Sequence, residues 1–264
     1  LVTAQEVSDL KEKMQRLARA AEQTLDFDAL MEIAKSAPPL SFVPPELPKP
    51  GAPVRVGVAR DKAFCFFYED SLALLRRLGA ELVDFSPLTG EALPENLQGL
   101  YLPGGYPELY AEALSQNEAM RESIRKAVTG GLPCIAECGG FMYLTEAIGG
   151  YPMAGALKGG CFDTGKLTRF GYVTLTAQKD NLLCRAGEQI PAHEFHHWDA
   201  EHPGEDFRAE KPSGRSWPCT HASRTLYAGF PHFHFYANPS FAVRFLDACR
   251  KESCHAGTNK AHGD

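Results

Sequence analysis

The sequence predicts an α/β fold, a parallel sheet with helices on both faces, extended toward its C-terminal part by added antiparallel strands. Three observations carry this. Short apolar runs alternate with longer amphipathic stretches from Val54 to Leu144, the order produced when each strand is returned by a helix. Two of these runs end in Gly-Gly pairs, Gly104-Gly105 and Gly139-Gly140, where a strand must turn sharply into a helix. After Gly149 the texture changes to alternation, as in Leu167 to Ala177 (LTRFGYVTLTA), with Gly and Pro frequent over 203–218.

Taken in order, residues 4–36 carry Leu10, Met14, Leu17, Ala21, Leu25, Leu30 and Ile33 at spacings of three to five, interrupted near Asp26 to Asp28. This predicts two helices over 1–36. Pro38-Pro39, Pro44-Pro45, Pro48 and Pro50 exclude helix and central strand, so 37–53 is an extended linker and a domain boundary. The main domain, 54–250, begins with strand 54–59 (VRVGVA), helix 67–78 and strand 81–85 (ELVDF). It continues with strand 98–102 (QGLYL), helix 108–129 and strand 133–137. Phe241 to Cys249 (FAVRFLDAC) reads as a closing helix, and 251–264 as a frayed tail.

Composition narrows the function. A chain of 264 residues, 44% hydrophobic and 23% charged, is ordinary for a globular protein. A net charge of −6 without a Lys/Arg block argues against nucleic acid or an anionic membrane as partner. Eight cysteines (65, 134, 138, 161, 184, 219, 249, 254) show no repeated CxxC, which indicates neither a disulfide framework nor a zinc ribbon and points to a reducing cytoplasm. No apolar run approaches the roughly 20 residues of a membrane span. The first residue is Leu1 and not methionine, which suggests processing or a piece of a longer chain.

The chemistry centres on LPCIAECGGFMYL, Leu132 to Leu144. Cys138 sits at the joint between strand and helix, followed by two glycines, in the pattern of a nucleophile elbow. A thiolate there would lie at a helix N-terminus, which favours its ionised form; a buried structural cysteine is the competing reading. Gly104 and Gly105, in YLPGGYPE, fall at the carboxyl edge of the same sheet, and with the Gly139 amide they are candidates for an oxyanion hole. Tyr106 follows as a pocket candidate. His232 and His234, in GFPHFHFYANP, point to one face of an extended segment, so one can act as base and the other as its orienter. His193 to His197 (HEFHH) formally satisfies the H-E-x-x-H zinc signature. Pro191 before it and His202-Pro203-Gly204 after it leave little room for a helix, so no metal site is assigned, and Glu194 and His196 are read as pocket lining.

YLPGGYPE, AECGGFMYL, LTRFGYV, AHEFHHWD and HFHFYANP together resemble the triad (class I) glutamine amidotransferase domains of the cobyrinic acid a,c-diamide synthase family, from about Val54 to Arg250. ARDKAFCFFY resembles the family's opening strand-to-helix stretch. The resemblance implies a flavodoxin-like three-layer fold. It also implies hydrolysis of glutamine through a cysteine thioester, releasing ammonia for the a and c carboxylates of cobyrinic acid in cobalamin biosynthesis. By motif it makes Cys138 the nucleophile, His232 the base, and Gly104, Gly105 and Gly139 the oxyanion donors. Many triad enzymes have His-x-Glu where this chain has His232-Phe233-His234, so His234 is the remaining orienter candidate. Residues 1–36 would be the last helices of an ATP-dependent synthetase domain otherwise missing. ATP and Mg2+ are expected there, since no phosphate-binding loop occurs here and no cofactor is expected in this part. Glutamine, that domain and, through it, a corrinoid are the expected partners, with a homodimer left open. The alternatives are a nickel sirohydrochlorin acceptor, a non-enzymatic flavodoxin-like protein with an elbow cysteine, and, least favoured, a zinc peptidase.

Overall fold

A computed structural model describes residues 7–43 and 46–258, with side chains up to Lys251. The chain divides into two compact units, Leu1–Glu46 and Leu47–Asp264. In the first, α1 (Leu10–Thr24) and α2 (Phe27–Lys35) flank Asp26, whose carboxylate caps α2 by accepting from the Ala29 amide at 2.9 Å. None of their residues is buried.

The second unit starts with β1 (Val54–Ala59), α3 (Glu69–Arg77), β2 (Ala80–Phe85) and β3 (Gly99–Leu102). The single helix predicted over 108–129 is broken. A short 3-10 turn (Pro107–Tyr110) leads into α4 (Ala111–Gln116), and α5 (Glu118–Thr129) starts afresh. Asn117 causes the break: its side-chain oxygen accepts from the Met120 amide, while its Nδ2 donates to the carbonyls of Pro87 and Gly90. A short amide side chain bonded to nearby backbone competes with helix continuation. β4 (Cys134–Glu137) and α6 (Gly139–Leu144) follow.

Beyond α6 come the short strands β5 (Ala147–Ile148), β6 (Tyr151–Pro152) and β7 (Gly160–Asp163), then the long pair β8 (Arg169–Ala177) and β9 (Gln189–His196). They are followed by β10 (Trp198–Ala200), β11 (Phe207–Glu210), β12 (Ser216–Cys219), β13 (His221–Ala222), β14 (Leu226–Gly229) and β15 (His232–Phe233). The closing helix α7 (Pro239–Thr258) takes in the first part of the segment read as a tail, and residues 259–264 of that tail lie outside the described residues.

The main sheet has the order β13-β14-β4-β3-β1-β2, parallel except for the β13 edge. The α/β class with added antiparallel strands, read from the alternation of runs, is the fold observed. Side chains alternate along each strand and divide the core between two faces. Tyr101 and Ile135 join α3 and α7 residues such as Leu72, Leu75, Phe241 and Phe245, while Leu100, Leu102 and Ala136 join Met120, Ile124 and Phe141 on the other side. Each such Leu or Phe contributes about 1.5–3 kcal/mol through burial. The antiparallel sheet β12-β11-β8-β9-β15 adds to the first face, with β15 carrying His232. Among the described residues no helix is long and apolar enough to cross a membrane.

Candidate active site

Cys138 occupies the single residue between β4 and α6 with φ 47° and ψ −103°. A non-glycine residue at such angles stores about 1–3 kcal/mol of strain and is held there by its surroundings. Its amide donates to the Gly229 carbonyl at 2.7 Å, and its carbonyl accepts from Met142 at 2.9 Å. Gly140 permits the turn, because a Cβ there would fall 2.1 Å from the Leu102 carbonyl oxygen. The thiol is buried and accepts from the Gly139 amide. Its pKa is raised, first by burial and then by Glu108, contrary to the lowered value expected at a helix N-terminus. Here α6 is only six residues long, and the Gly139 hydrogen bond does not offset desolvation and the nearby carboxyls. Burial also pushes the Glu108 carboxyl up to about 7.

His232 reaches the same end of β4 from the other sheet. Its Nδ1 lies 3.1 Å from Glu137 Oε2, and both side chains are almost fully enclosed. Glu137 shares a sheet face with Ile135, two residues earlier, and its carboxyl accepts from the Tyr101 hydroxyl and the Phe233 amide. Burial raises Glu137 to about 8 and lowers His232 to about 3. Both shifts have one cause, the cost of charge in a dry site. The ring stacks on His193 at 5.1 Å and meets the edge of Phe66 at 4.7 Å. With Nδ1 turned to Glu137, Nε2 is the nitrogen left for a reacting group. Among the described residues no direct hydrogen bond joins it to the Cys138 sulfur.

The Gly104-Gly105 loop closes over this pair. A Cβ on Gly104 would stand 2.4 Å from His232 Cε1, and one on Gly139 would stand 3.0 Å from the Gly105 nitrogen. The three glycines singled out in the sequence are thus packed together beside the elbow. Gly104 also accepts from the Phe66 amide at 3.0 Å, and the Tyr106 amide donates to Ala63 at 2.9 Å, so the loop is tied to the segment after β1.

His234 does not join His232. Its Nε2 pairs with Asp70 Oδ2 at 2.9 Å beside Tyr68. The shared-face expectation fails because β15 ends at Phe233, where a 3-10 turn (Phe235–Ala237) begins to lead the chain away. Glu137, and not His234, lies against the His232 ring, and the sequence analysis passed over it by reading the residue before Cys138 as part of an apolar strand. The signal was present: a carboxylate at the end of a fully buried strand.

The HEFHH segment is strand β9 up to His196, so His193 and His197 are not one helical turn apart. Alternation sends His193 toward His232 and Tyr68, whose hydroxyl is 3.2 Å from His193 Nδ1. Glu194 and His196 point to the opposite face and approach each other at 3.3 Å. His196 stacks on Phe230 at 4.0 Å, and Trp217 donates to Glu194 at 3.3 Å. They line a cavity of about 100 Å3 with Arg169, Asp199 and Cys219. Glu194 is close enough to the elbow to bear on the Cys138 thiol.

The chain resembles known proteins in sequence and in fold. The chain is 36% identical over 257 residues to the cobyrinate a,c-diamide synthase of Caldanaerobacter subterraneus subsp. tengcongensis, covering 94% of this chain and 57% of the relative. It is 38% identical over 268 residues to that of Dehalococcoides mccartyi, covering 93% of this chain and 56% of the relative. The chain therefore spans little more than half the length of these relatives. Among solved structures, PurLQS from Thermotoga maritima matches 77% of the chain at 18% identity with a TM-score of 0.53. A crystal structure of a glutamine amidotransferase matches 74% at 20% identity with the same score. These two likenesses establish the fold. Residues 55–239 match the CobB/CobQ-like glutamine amidotransferase domain, and the chain belongs to that enzyme family.

Proposed function

We propose that this chain hydrolyses glutamine through a thioester on Cys138. The carrying observation is the strained, buried cysteine at the end of β4 with a buried imidazole held against the adjacent residue. The thiol gives its proton to His232 Nε2 as sulfur attacks the amide carbon, and the imidazolium returns that proton to the departing ammonia. Water, deprotonated by the same nitrogen, then releases glutamate. A neutral thiol and a neutral imidazole suit this order, since the proton moves only when substrate is present. The Gly139 amide, with the Gly104-Gly105 backbone, is assigned to the developing oxyanion. Glu194 and His196, with Tyr106, are assigned to the glutamine pocket.

In the whole protein we assign the ammonia to the a and c carboxylates of cobyrinic acid, activated with ATP and Mg2+ in a synthetase domain to which residues 1–36 belong. The names of the relatives support this acceptor over a nickel tetrapyrrole. The test is mass spectrometry after treatment with a glutamine-like chloroketone, with glutaminase measured alongside. One adduct on Cys138, blocked by glutamine, is expected. Glutaminase surviving Cys138→Ala overturns the reading.

A further inference from the structure

We propose that Glu137 is the positioning residue of this site: its carboxylate holds the Nδ1–H of His232 and so presents Nε2 as the acceptor for the Cys138 proton. The inference deepens the glutaminase reading and rests on it. A base needs a partner that fixes its tautomer, and here the partner is the residue immediately before the nucleophile.

Three observations converge on this role. First, the contact is specific and dry. Glu137 Oε2 lies 3.1 Å from Nδ1, with side-chain exposures of 2% and 5%. Second, the carboxyl is arranged as an acceptor, because the Tyr101 hydroxyl and the Phe233 amide both donate to it. With two donors already in place, the proton of the Glu137–His232 contact comes from the ring. Third, the ring has no freedom to find another partner. His193 stacks on it, Phe66 meets it edge-on, and Gly104 abuts Cε1. His234, the other candidate, is engaged with Asp70. Strand β4 thus ends on the orienter and the nucleophile is the very next residue, so their separation is set by one peptide unit and does not depend on loop packing.

The charged and titratable groups bearing on the pair are Tyr68, Tyr101 and Tyr227 toward Glu137, and His193, His196 and Glu194 toward His232, with Cys138 adjacent. Burial favours the protonated acid, so the carboxylate is complete only on the alkaline side of neutrality.

Glu137→Gln separates positioning from structure. An amide offers one acceptor oxygen to three donors, and turning its oxygen to Tyr101 and Phe233 aims its NH2 at Nδ1, which forces the proton onto Nε2. The measurement is the 15N spectrum of His232 in the 264-residue chain on the alkaline side of the Glu137 titration, which needs no turnover. The Nδ1–H tautomer is expected in the native chain and the Nε2–H tautomer in Glu137→Gln. In glutaminase assays kcat should fall by on the order of 10²–10⁴ with KM little changed, the pattern of a wrong tautomer. Glu137→Asp, which keeps the acceptor character, should retain the native tautomer. The same Nδ1–H tautomer in the native chain and in Glu137→Gln overturns the proposal, as does an Nε2–H tautomer in the native chain. If Cys138→Ala keeps glutaminase, the reading of the site fails independently, since the tautomer measurement does not depend on it.

Discussion

Gly104 and His232 occupy one space: the imidazole stands where a side chain on residue 104 would begin, 2.4 Å from Cε1 to the position of a Cβ. The glycine serves here to admit a ring, and its backbone borders the Cε1 edge of the imidazole.

Gly104→Ala should therefore act through His232. The ring cannot retreat alone, being flanked by His193 and Phe66, so the methyl displaces either His232 together with these neighbours or the loop. A fall in kcat of at least about tenfold is expected, since ångström-scale misplacement of a catalytic group is costly. Glutaminase kinetics with circular dichroism as a folding check decide it; unchanged kcat would mean the loop yields freely.

His232 and His234 should separate cleanly. His232→Ala removes the imidazole assigned here as base and should lower glutaminase by about a hundredfold or more. His234→Ala breaks a half-exposed pair with Asp70 and should cost well under tenfold, since exposed ion pairs are worth about 0–1 kcal/mol. Adding His232→Ala to Cys138→Ala should change nothing further. Equal losses in the two histidine variants would show that His234 reaches the chemistry after all.

Cys138 should react with a glutamine-like chloroketone yet resist a simple alkylating agent at neutral pH. Its thiol is raised by burial and by Glu108, so little thiolate exists without substrate. Iodoacetamide rates followed against pH, read by peptide mass spectrometry, should climb only well above neutrality. Fast alkylation at neutral pH would point to a thiolate–imidazolium pair in the resting site.

Stability should fall on both sides of neutrality. His193 and His232 have folded values near 4 and 3, below the ordinary 6.5, so the unfolded chain binds more protons as pH falls through 6.5 and stability is lost. Glu137 has the opposite sign: its folded value near 8 exceeds the ordinary 4.5, so its contribution is lost as pH rises through 8. Melting temperature measured across this range should form a dome, and His193→Asn should flatten the acid side. A dome unchanged by that substitution would remove His193 from the account.

What the sequence determined by itself was local. The elbow at Cys138, the Gly-Gly loop at Gly104 and the parallel strands were legible because each is written in neighbouring residues, through glycine where side chains do not fit and apolar runs where strands are buried. The pairing of histidines was not. His232 and His234 are two residues apart, and alternation alone places them together; the end of β15 after Phe233 is what sends one to Glu137 and the other to Asp70. Likewise Asn117 reads as an ordinary helix residue until the carbonyls of Pro87 and Gly90 come within its reach. The thiol's raised pKa and the Glu137 contact depend on burial between sheets and on residues up to 95 positions away. Desolvation and long-range contacts arise only when the layers close, so the tertiary structure alone decided which carboxyl faces His232.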